Sequence, residues 1–295
     1  MRLSDIEVVS SKSLDDALGV LHDRSGKIKP IAGSTDAIIQ LKQDTLQKEQ
    51  LLDISNVREL RYIRREGCIV HIGALSTYSD MIESPVLRSS CRMLVDACKT
   101  IGSLQIQNRA TIGGNLGNAS PAGDTIPPLY VLDANVKVQS RERLRLVPIE
   151  KFFLGYRRID LMPDELITEI SFEAVEKPCD GRFLKLGLRE GHFIALVSLA
   201  IRVTWANEID RLSDVGVALG AVAPVVFRAR KCEEYLRNRT LTHDMIWNAG
   251  KIASAESSPI SDLRASADYR RAVIPSLLYK AVHMLIDSRH RWEKL

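Results

Sequence analysis

The sequence predicts an α+β protein built in two parts, and three observations carry that prediction. Strand-like runs are followed by a helical region instead of alternating with helices one by one. The composition shifts at "EAVEKPCDGR" (173–182), which offers a boundary. At 295 residues with 45% hydrophobic content, the chain is long enough to fill two cores.

The elements follow in order. "SLDDALGVL" from Ser13 places Leu14, Ala17, Leu18 and Leu21 on one helical face, and the Ser13 hydroxyl can accept from the third backbone N–H. "KIKPIAGSTDAIIQLK" is a short apolar run that breaks into small polar residues and then resumes. "LLDIS", "ELRYIRRE" and "CIVHIGALS" read as strands, with Glu66-Gly67 marking the turn between the last two. Ser84-Pro85 begins a helix, Ser as cap and Pro at the first position, and Leu87, Cys91, Leu94, Val95, Cys98 and Ile101 keep helical spacing through it. Gly102 falls just past its end, where a left-handed residue is expected. The stretch after it runs through Pro121 and Pro127-Pro128 into "LYVLDANVKVQ", read as a buried strand. "NVKVQSRERLRLVPI" is a hairpin and "DELITEISFE" another strand. Beyond the boundary, "FLKLGLRE", "ALVSLAIRVTW" and "DVGVALGAV" are strands. From about Ala229 the chain is mainly helical, and "VIPSLLYKAVHMLI" pairs apolar residues at every turn.

Bulk properties narrow the function. The 41 basic and 37 acidic residues are interspersed, with no basic stripe for nucleic acid. "MRLSDIEVVSSKSLDDAL" lacks an apolar signal-peptide core and no later stretch reaches membrane-spanning length, so the expectation is a cytoplasmic protein without membrane insertion. Cys68, Cys91, Cys98, Cys179 and Cys232 form no CxxC pair and read as buried thiols of a reducing compartment. Cys91 and Cys98, seven apart, fall on one face of the same helix.

Two glycine stretches carry the chemistry. "IGSLQIQNRATIGGNLGNASPAGD" (101–124) holds five of the seventeen glycines, and "AGSTD" (32–36) is a shorter stretch of the same kind. Glycine lets an anion approach the backbone and lets several N–H vectors converge. Two such loops suit the two phosphates of a dinucleotide, yet neither GxGxxG nor GxxxxGK[ST] occurs. Taken alone, either stretch reads more readily as a structural turn, a reading that the length and the small polar residues of the longer one weaken. No Ser/His/Asp set, paired carboxylates or HExxH spacing suggests acid–base or zinc chemistry, and no catalytic residue is assigned.

"ATIGGNLGNASPAGDTIPPLYVLDANV" resembles the second flavin-binding loop of the FAD-binding domain of molybdenum hydroxylases, which include xanthine dehydrogenases and aerobic carbon monoxide dehydrogenases. "PIAGSTDAIIQLK" is similar to the first loop of that family, and "SPISDLRASADYRRAVIPSLLYKA" resembles its C-terminal domain. The resemblance implies a two-subdomain FAD-binding domain of the vanillyl-alcohol-oxidase/PCMH type over residues 1–176. A smaller α+β domain, an antiparallel sheet with helices, would follow over 177–295.

The resemblance also implies site residues. Ala32, Gly33, Ser34, Thr35 and Asp36 would form the first pyrophosphate cradle, Ser34 standing where the family usually has a second glycine. Thr111, Gly113, Gly114 and Asn115 would form the second. Ile101 would border the cofactor, Asn118 would lie near the flavin ring, and Asp124 would hydrogen-bond toward the ribityl or adenosine part. Ile167 would lie against the adenine, Lys185 would approach the cofactor and Ile194 would pack on the isoalloxazine. For Asn118 a turn former, for Asp124 a helix cap and for Lys185 an exposed strand lysine stay open. Phe193 replaces the usual aspartate before Ile194, and His192 beside it reads as a surface residue.

With too few cysteines at cluster spacing and too little length for a molybdenum domain, the chain resembles the separate medium subunit. Molybdopterin would sit on a large partner and 2Fe–2S clusters on a small one, in a dimer of heterotrimers. Electrons would pass from those clusters through FAD to NAD+, oxygen or a quinone. Two other readings stay open: a scaffold of the same fold without its cofactor, and a stand-alone FAD oxidase.

Overall fold

In the computed structural model, which describes residues 6–43, 50–176, 179–188, 194–207 and 210–292, the first hydrophobic runs build a small parallel sheet. Its elements are β1 (Glu7–Ser10), α1 (Leu14–Asp23), β2 (Ile28–Ile31), α2 (Ala37–Lys42) and β3 (Gln50–Asp53), with strand order β1-β3-β2. Ser13 caps α1 as its position predicts, accepting the Asp16 N–H at 3.2 Å. Ala17, Leu18 and Leu21 are buried with Ile28, Leu52 and Leu60. This βαβ alternation departs from the strand-then-helix pattern: the parallel neighbours β2 and β3 need a crossover, and α2 lies on it.

The second unit contains β4 (Ile63–Glu66), β5 (Ile69–Gly73), α3 (Tyr78–Glu83), α4 (Pro85–Ser90), α5 (Arg92–Lys99), α6 (Leu104–Gln107), α7 (Ile112–Asn118) and α8 (Ile126–Val131). It continues with β6 (Asn135–Gln139), β7 (Leu144–Pro148), α9 (Ile149–Phe152), β8 (Phe153–Gly155), β9 (Arg158–Ile159) and β10 (Leu166–Glu173). Five antiparallel strands run in the order β4-β5-β10-β6-β7, and the predicted β6–β7 hairpin pairs Asn135 with Pro148 through Gln139 with Leu144.

Several expectations fail here. The helix expected from Ser84 to Ile101 is two helices, α4 and α5, broken at Cys91 (φ −162°). The Ser90 carbonyl, needed by a continuous helix, instead accepts the Val175 N–H at 2.7 Å. Cys91 and Cys98 are therefore on no common helix, although both are buried. "LYV" belongs to α8, not to a strand, because Pro127 and Pro128 at its start hold helical φ. The stretch after Gly102 is not a bare loop but is folded largely into α6 and α7, while Gly102 itself is left-handed as predicted (φ +48°). Nor is every cysteine buried: Cys91, Cys98 and Cys232 are, whereas Cys68 is exposed.

The third unit is an antiparallel meander, β11 (Cys179–Leu186), β12 (Val197–Trp205), β13 (Leu212–Gly220) and β14 (Phe227–Arg228). It is followed by α10 (Arg230–Leu236), α11 (His243–Glu256) and α12 (Ala267–Trp292). Strand alternation divides its side chains. Leu199, Ile201 and Val217 pack against Ile274, Leu278 and Leu285 of α12, while Phe183, Ala200 and Ala218 enter the core of the second unit with Leu129 of α8. Arg228 crosses between units, donating to the Tyr130 carbonyl at 3.2 Å and pairing with Asp133 at 2.8 Å and Glu233 at 2.5 Å. Among the described residues no helix is long and apolar enough to cross a membrane.

Candidate functional site

The first glycine stretch leaves β2 and turns into α2. Ser34 sits in the left-handed region (φ +61°), at a cost of about 1 kcal/mol for a residue with a Cβ. Its hydroxyl donates to the Ala32 carbonyl at 3.2 Å. Among the described residues no acceptor faces the backbone N–H of Gly33, Ser34, Thr35 or Asp36. Successive N–H groups around a left-handed residue form a concavity suited to an anion. Asp36 makes no cap bond to α2; desolvation raises its pKa while the charge of Arg157 opposes the rise.

The second stretch is built differently. Thr111 caps α7 by accepting the Gly114 N–H at 3.1 Å, worth about 1 kcal/mol. The N–H of Ile112 goes to the Ser76 carbonyl, that of Gly113 to Ala74 and that of Asn115 to Thr111, so the amides of 112–115 are all spent within the protein. Gly113 is a packing glycine: a Cβ there would lie 2.7 Å from the Ala74 Cβ and 2.8 Å from its oxygen. Gly114 is exposed, and its Cβ would meet only the Thr111 hydroxyl, at 2.9 Å. Gly117, one turn on, is exposed too and would meet only Ile167, at 3.9 Å. The two leave one face of α7 bare, so a ligand can lie directly on the helix backbone.

The two stretches meet. A Cβ on Gly33 would stand 1.8 Å from the Arg109 carbonyl oxygen, so backbone rests on backbone just before Thr111. The seam is also tied by side chains: Gln40 of α2 donates to Asn118 Oδ1 at 2.8 Å, and Arg157 donates to the same oxygen at 3.4 Å. Asn118 thus joins α2 to α7 rather than simply forming a turn.

Asp124 and Lys185 are brought together from different units. The Lys185 ammonium lies 2.5 Å from Asp124 Oδ2 and donates to the Thr100 carbonyl at 3.0 Å, with only 3% of the side chain exposed. It is not an exposed strand lysine. Burial pushes the Asp124 carboxyl up to about 6 even though Lys185 pulls it down. Asp124 Oδ1 is buried without a partner, and so is the hydroxyl of Ser198, which pairs in register with Lys185 across β11 and β12. Next to Asp124, Thr125 donates to Asn115 Oδ1 at 2.7 Å. Tyr78 is fully buried, and desolvation drives its hydroxyl pKa well above the ordinary value.

The remaining predicted residues are more spread out. Ile101 is half-buried where α5 ends, its carbonyl accepting from Gln107 at 3.0 Å. Ile167 is 7% exposed, set in the core below α7. Ile194 is 54% exposed at the entry to β12. Phe193 and His192 lie outside the described residues. Gln40, Arg157 and Ser198 were not singled out from sequence, since each is ordinary in its own local pattern and acquires a place only through distant contacts.

The residues present fit FAD. The unpartnered amides at 33–36 suit its pyrophosphate, and Asp124 Oδ1 and the Ser198 hydroxyl lack the partners that buried polar atoms require. Fold and site together define a dinucleotide-binding chain of two α+β parts. Residues 4–172 match the family described as "FAD binding domain in molybdopterin dehydrogenase", and residues 182–285 match "CO dehydrogenase flavoprotein C-terminal domain". The chain is 33% identical to the glyceraldehyde dehydrogenase medium chain of Sulfolobus acidocaldarius, over 94% of this chain and 97% of that one. It is 31% identical to the nicotinate dehydrogenase FAD-subunit of Eubacterium barkeri, over 97% of each. A chain of the carbon monoxide dehydrogenase from Hydrogenophaga pseudoflava, solved without the Mo-pyranopterin moiety of its cofactor, superposes with a TM-score of 0.91 at 30% identity, covering 96% of this chain and 98% of that one.

The chain belongs to the FAD-binding medium subunits of the molybdenum hydroxylase family, of carbon monoxide dehydrogenase and xanthine dehydrogenase type. It is an oxidoreductase subunit with an FAD-binding domain, of the medium-chain type found in multisubunit carbon monoxide dehydrogenases.

Proposed function

We propose that this chain is the FAD-carrying electron-transfer subunit of a molybdenum-dependent hydroxylase or dehydrogenase. It stands between 2Fe–2S clusters on a small partner chain and NAD+, oxygen or a quinone as acceptor. Molybdopterin belongs to a large partner chain, the assembly is a dimer of heterotrimers, and we place it in the cytoplasm. We set the boundary of the FAD-binding domain at residue 176, with the C-terminal domain over 177–295.

Bound FAD supplies a redox centre that exchanges electrons singly or in pairs; the protein orients it and tunes its potential. The amides of Gly33, Ser34, Thr35 and Asp36 hold the pyrophosphate, with Ala32 shaping the turn. Thr111, Gly113, Gly114 and Asn115 present the bare face of α7, Gly113 by letting the helix dock and Gly114 by leaving it open. Asp124 Oδ1 accepts from a hydroxyl of the ribityl or adenosine part, Lys185 keeps that carboxylate charged, and Asn118, Ile101, Ile167 and Ile194 shape the walls.

The observation that carries this reading is the buried Asp124–Lys185 pair with one carboxylate oxygen left over, in a chain of this family. Purification of the full chain with co-purifying proteins tests it. About one FAD per chain by absorbance is expected, together with a large and a small partner. A preparation that stays colourless and takes up no added FAD would remove the flavin claim; a chain with FAD but no partners would remove the complex.

A further inference from the structure

The tail motif "SPISDLRASADYRR" contains a buried arginine that does not touch the Asp124–Lys185 pair, yet is tied to both sides of it. Arg270, 3% exposed on α12, sends Nη1 to two carbonyls: that of Leu196 at 2.6 Å and that of Ala221 at 3.1 Å. The two carbonyls belong to different arms. Leu196 returns its own N–H to the Leu186 carbonyl at 2.8 Å, which fixes the end of β11 where Lys185 stands. Ala221, held left-handed at φ +64°, returns its N–H to the Pro121 carbonyl at 2.8 Å, three residues before Asp124. Beside it, a Cβ on Gly220 would fall 2.4 Å from the Ser198 hydroxyl and 3.0 Å from Pro127, so this corner has no slack.

The guanidinium is itself held. Asp262 Oδ1 takes Nη2 at 2.9 Å and also accepts the N–H of Arg264 and Ala265. These bonds keep the Asp262 carboxyl down at about 2, so it stays charged. A planar guanidinium with Nη1 on two carbonyls and Nη2 on a fixed carboxylate sets direction as well as charge, which a lysine cannot reproduce.

We propose that Arg270, braced by Asp262, is a positioning residue for the cofactor: it sets the strand carrying Lys185 and the segment carrying Asp124 at the spacing the flavin nucleotide needs. The inference rests on the reading of Asp124 and Lys185 given under Proposed function. Arg270 contributes no atom to the ligand; it acts through the two segments it ties, and it also fixes the Leu196 end of the segment on which Ile194 lies.

A double-mutant cycle on the full chain, read as FAD dissociation constant and as quenching of FAD fluorescence, tests this. Lys185→Met alone should weaken FAD by about a hundredfold and Arg270→Met by about tenfold. Because Arg270 works through the pair, the double variant should be no more than about threefold weaker than Lys185→Met. Arg270→Lys should recover thermal stability but not FAD affinity. Effects that multiply, or an Arg270→Met protein with lower thermal stability and unaltered FAD affinity, would overturn the proposal. If Arg270→Met fails to fold, Asp262→Asn replaces it in the cycle with the same criterion. Should Lys185→Met itself leave FAD binding untouched, the reading of the pair fails first and the positioning role with it.

Discussion

At residues 33–36 the chain leaves four amides without an acceptor among the described residues, whereas at 112–115 it folds the same kinds of residue into a helix whose amides are already taken. Small residues at both places look interchangeable as letters. One stretch spends its freedom on a left-handed Ser34 and leaves hydrogen-bonding capacity for a guest. The other spends it on proximity: Gly113 lets α7 sit on Ala74, and Gly114 and Gly117 keep the outer face clear. A glycine-rich segment can therefore serve a ligand by offering donors or by getting out of the way, and the two should fail differently when altered.

Gly33→Ala should have the largest effect, because its Cβ meets backbone, which cannot swing aside. A loss of about 3 kcal/mol or more in chemical denaturation is expected, with loss of bound FAD. An unchanged denaturation midpoint would show that the two stretches do not rest on each other. Gly114→Val comes next and separates binding from folding. Stability should change by about 1 kcal/mol, through the Thr111 cap, while FAD retention falls about a hundredfold as the branched side chain covers the bare face. Retention of stoichiometric flavin in that variant would mean the ligand does not lie on α7.

Asp124→Asn gives a smaller effect with a defined sign. The carboxyl binds its proton more tightly in the fold, at about 6, than at its ordinary 3.8. The folded state therefore holds the extra proton between those values, and this group lowers stability as pH rises through that window. The denaturation midpoint of the parent protein should carry this downward contribution from about pH 4 to 6. Asp124→Asn should abolish it, and identical slopes in the two proteins would refute the assignment. The smallest effect is expected for Ser34→Gly, a gain of about 1 kcal/mol from relief of the left-handed conformation, with FAD affinity kept because the amides remain. A clear drop in affinity would show that the hydroxyl, not the backbone, does the binding.

Much of this was legible in the amino-acid order. Ser13, the Glu66-Gly67 turn, Gly102 and the β6–β7 hairpin were readable because each depends on residues within a few positions. Asp124 and Lys185 could be singled out by resemblance, though not their pairing, since 61 residues separate them. What stayed hidden was set by distant partners. The helix break at Cys91 is caused by Val175, the amides of 112–115 are consumed by Ser76, Ala74 and Thr111, and Gln40 and Arg157 find Asn118 only after folding. The parallel order of the first sheet was likewise invisible in runs of four residues, which carry no information about direction.

The packing of α8 reaches beyond the candidate site. Leu129 and its neighbours share a single apolar cluster with Phe183, Ala200, Ala218 and Val226, so the two regions matched by separate family descriptions are fused through common nonpolar packing. Calorimetry should then record one cooperative melting peak for the whole chain rather than two. A gene cut after residue 176 would yield a fragment with a sticky flank, prone to precipitate on expression.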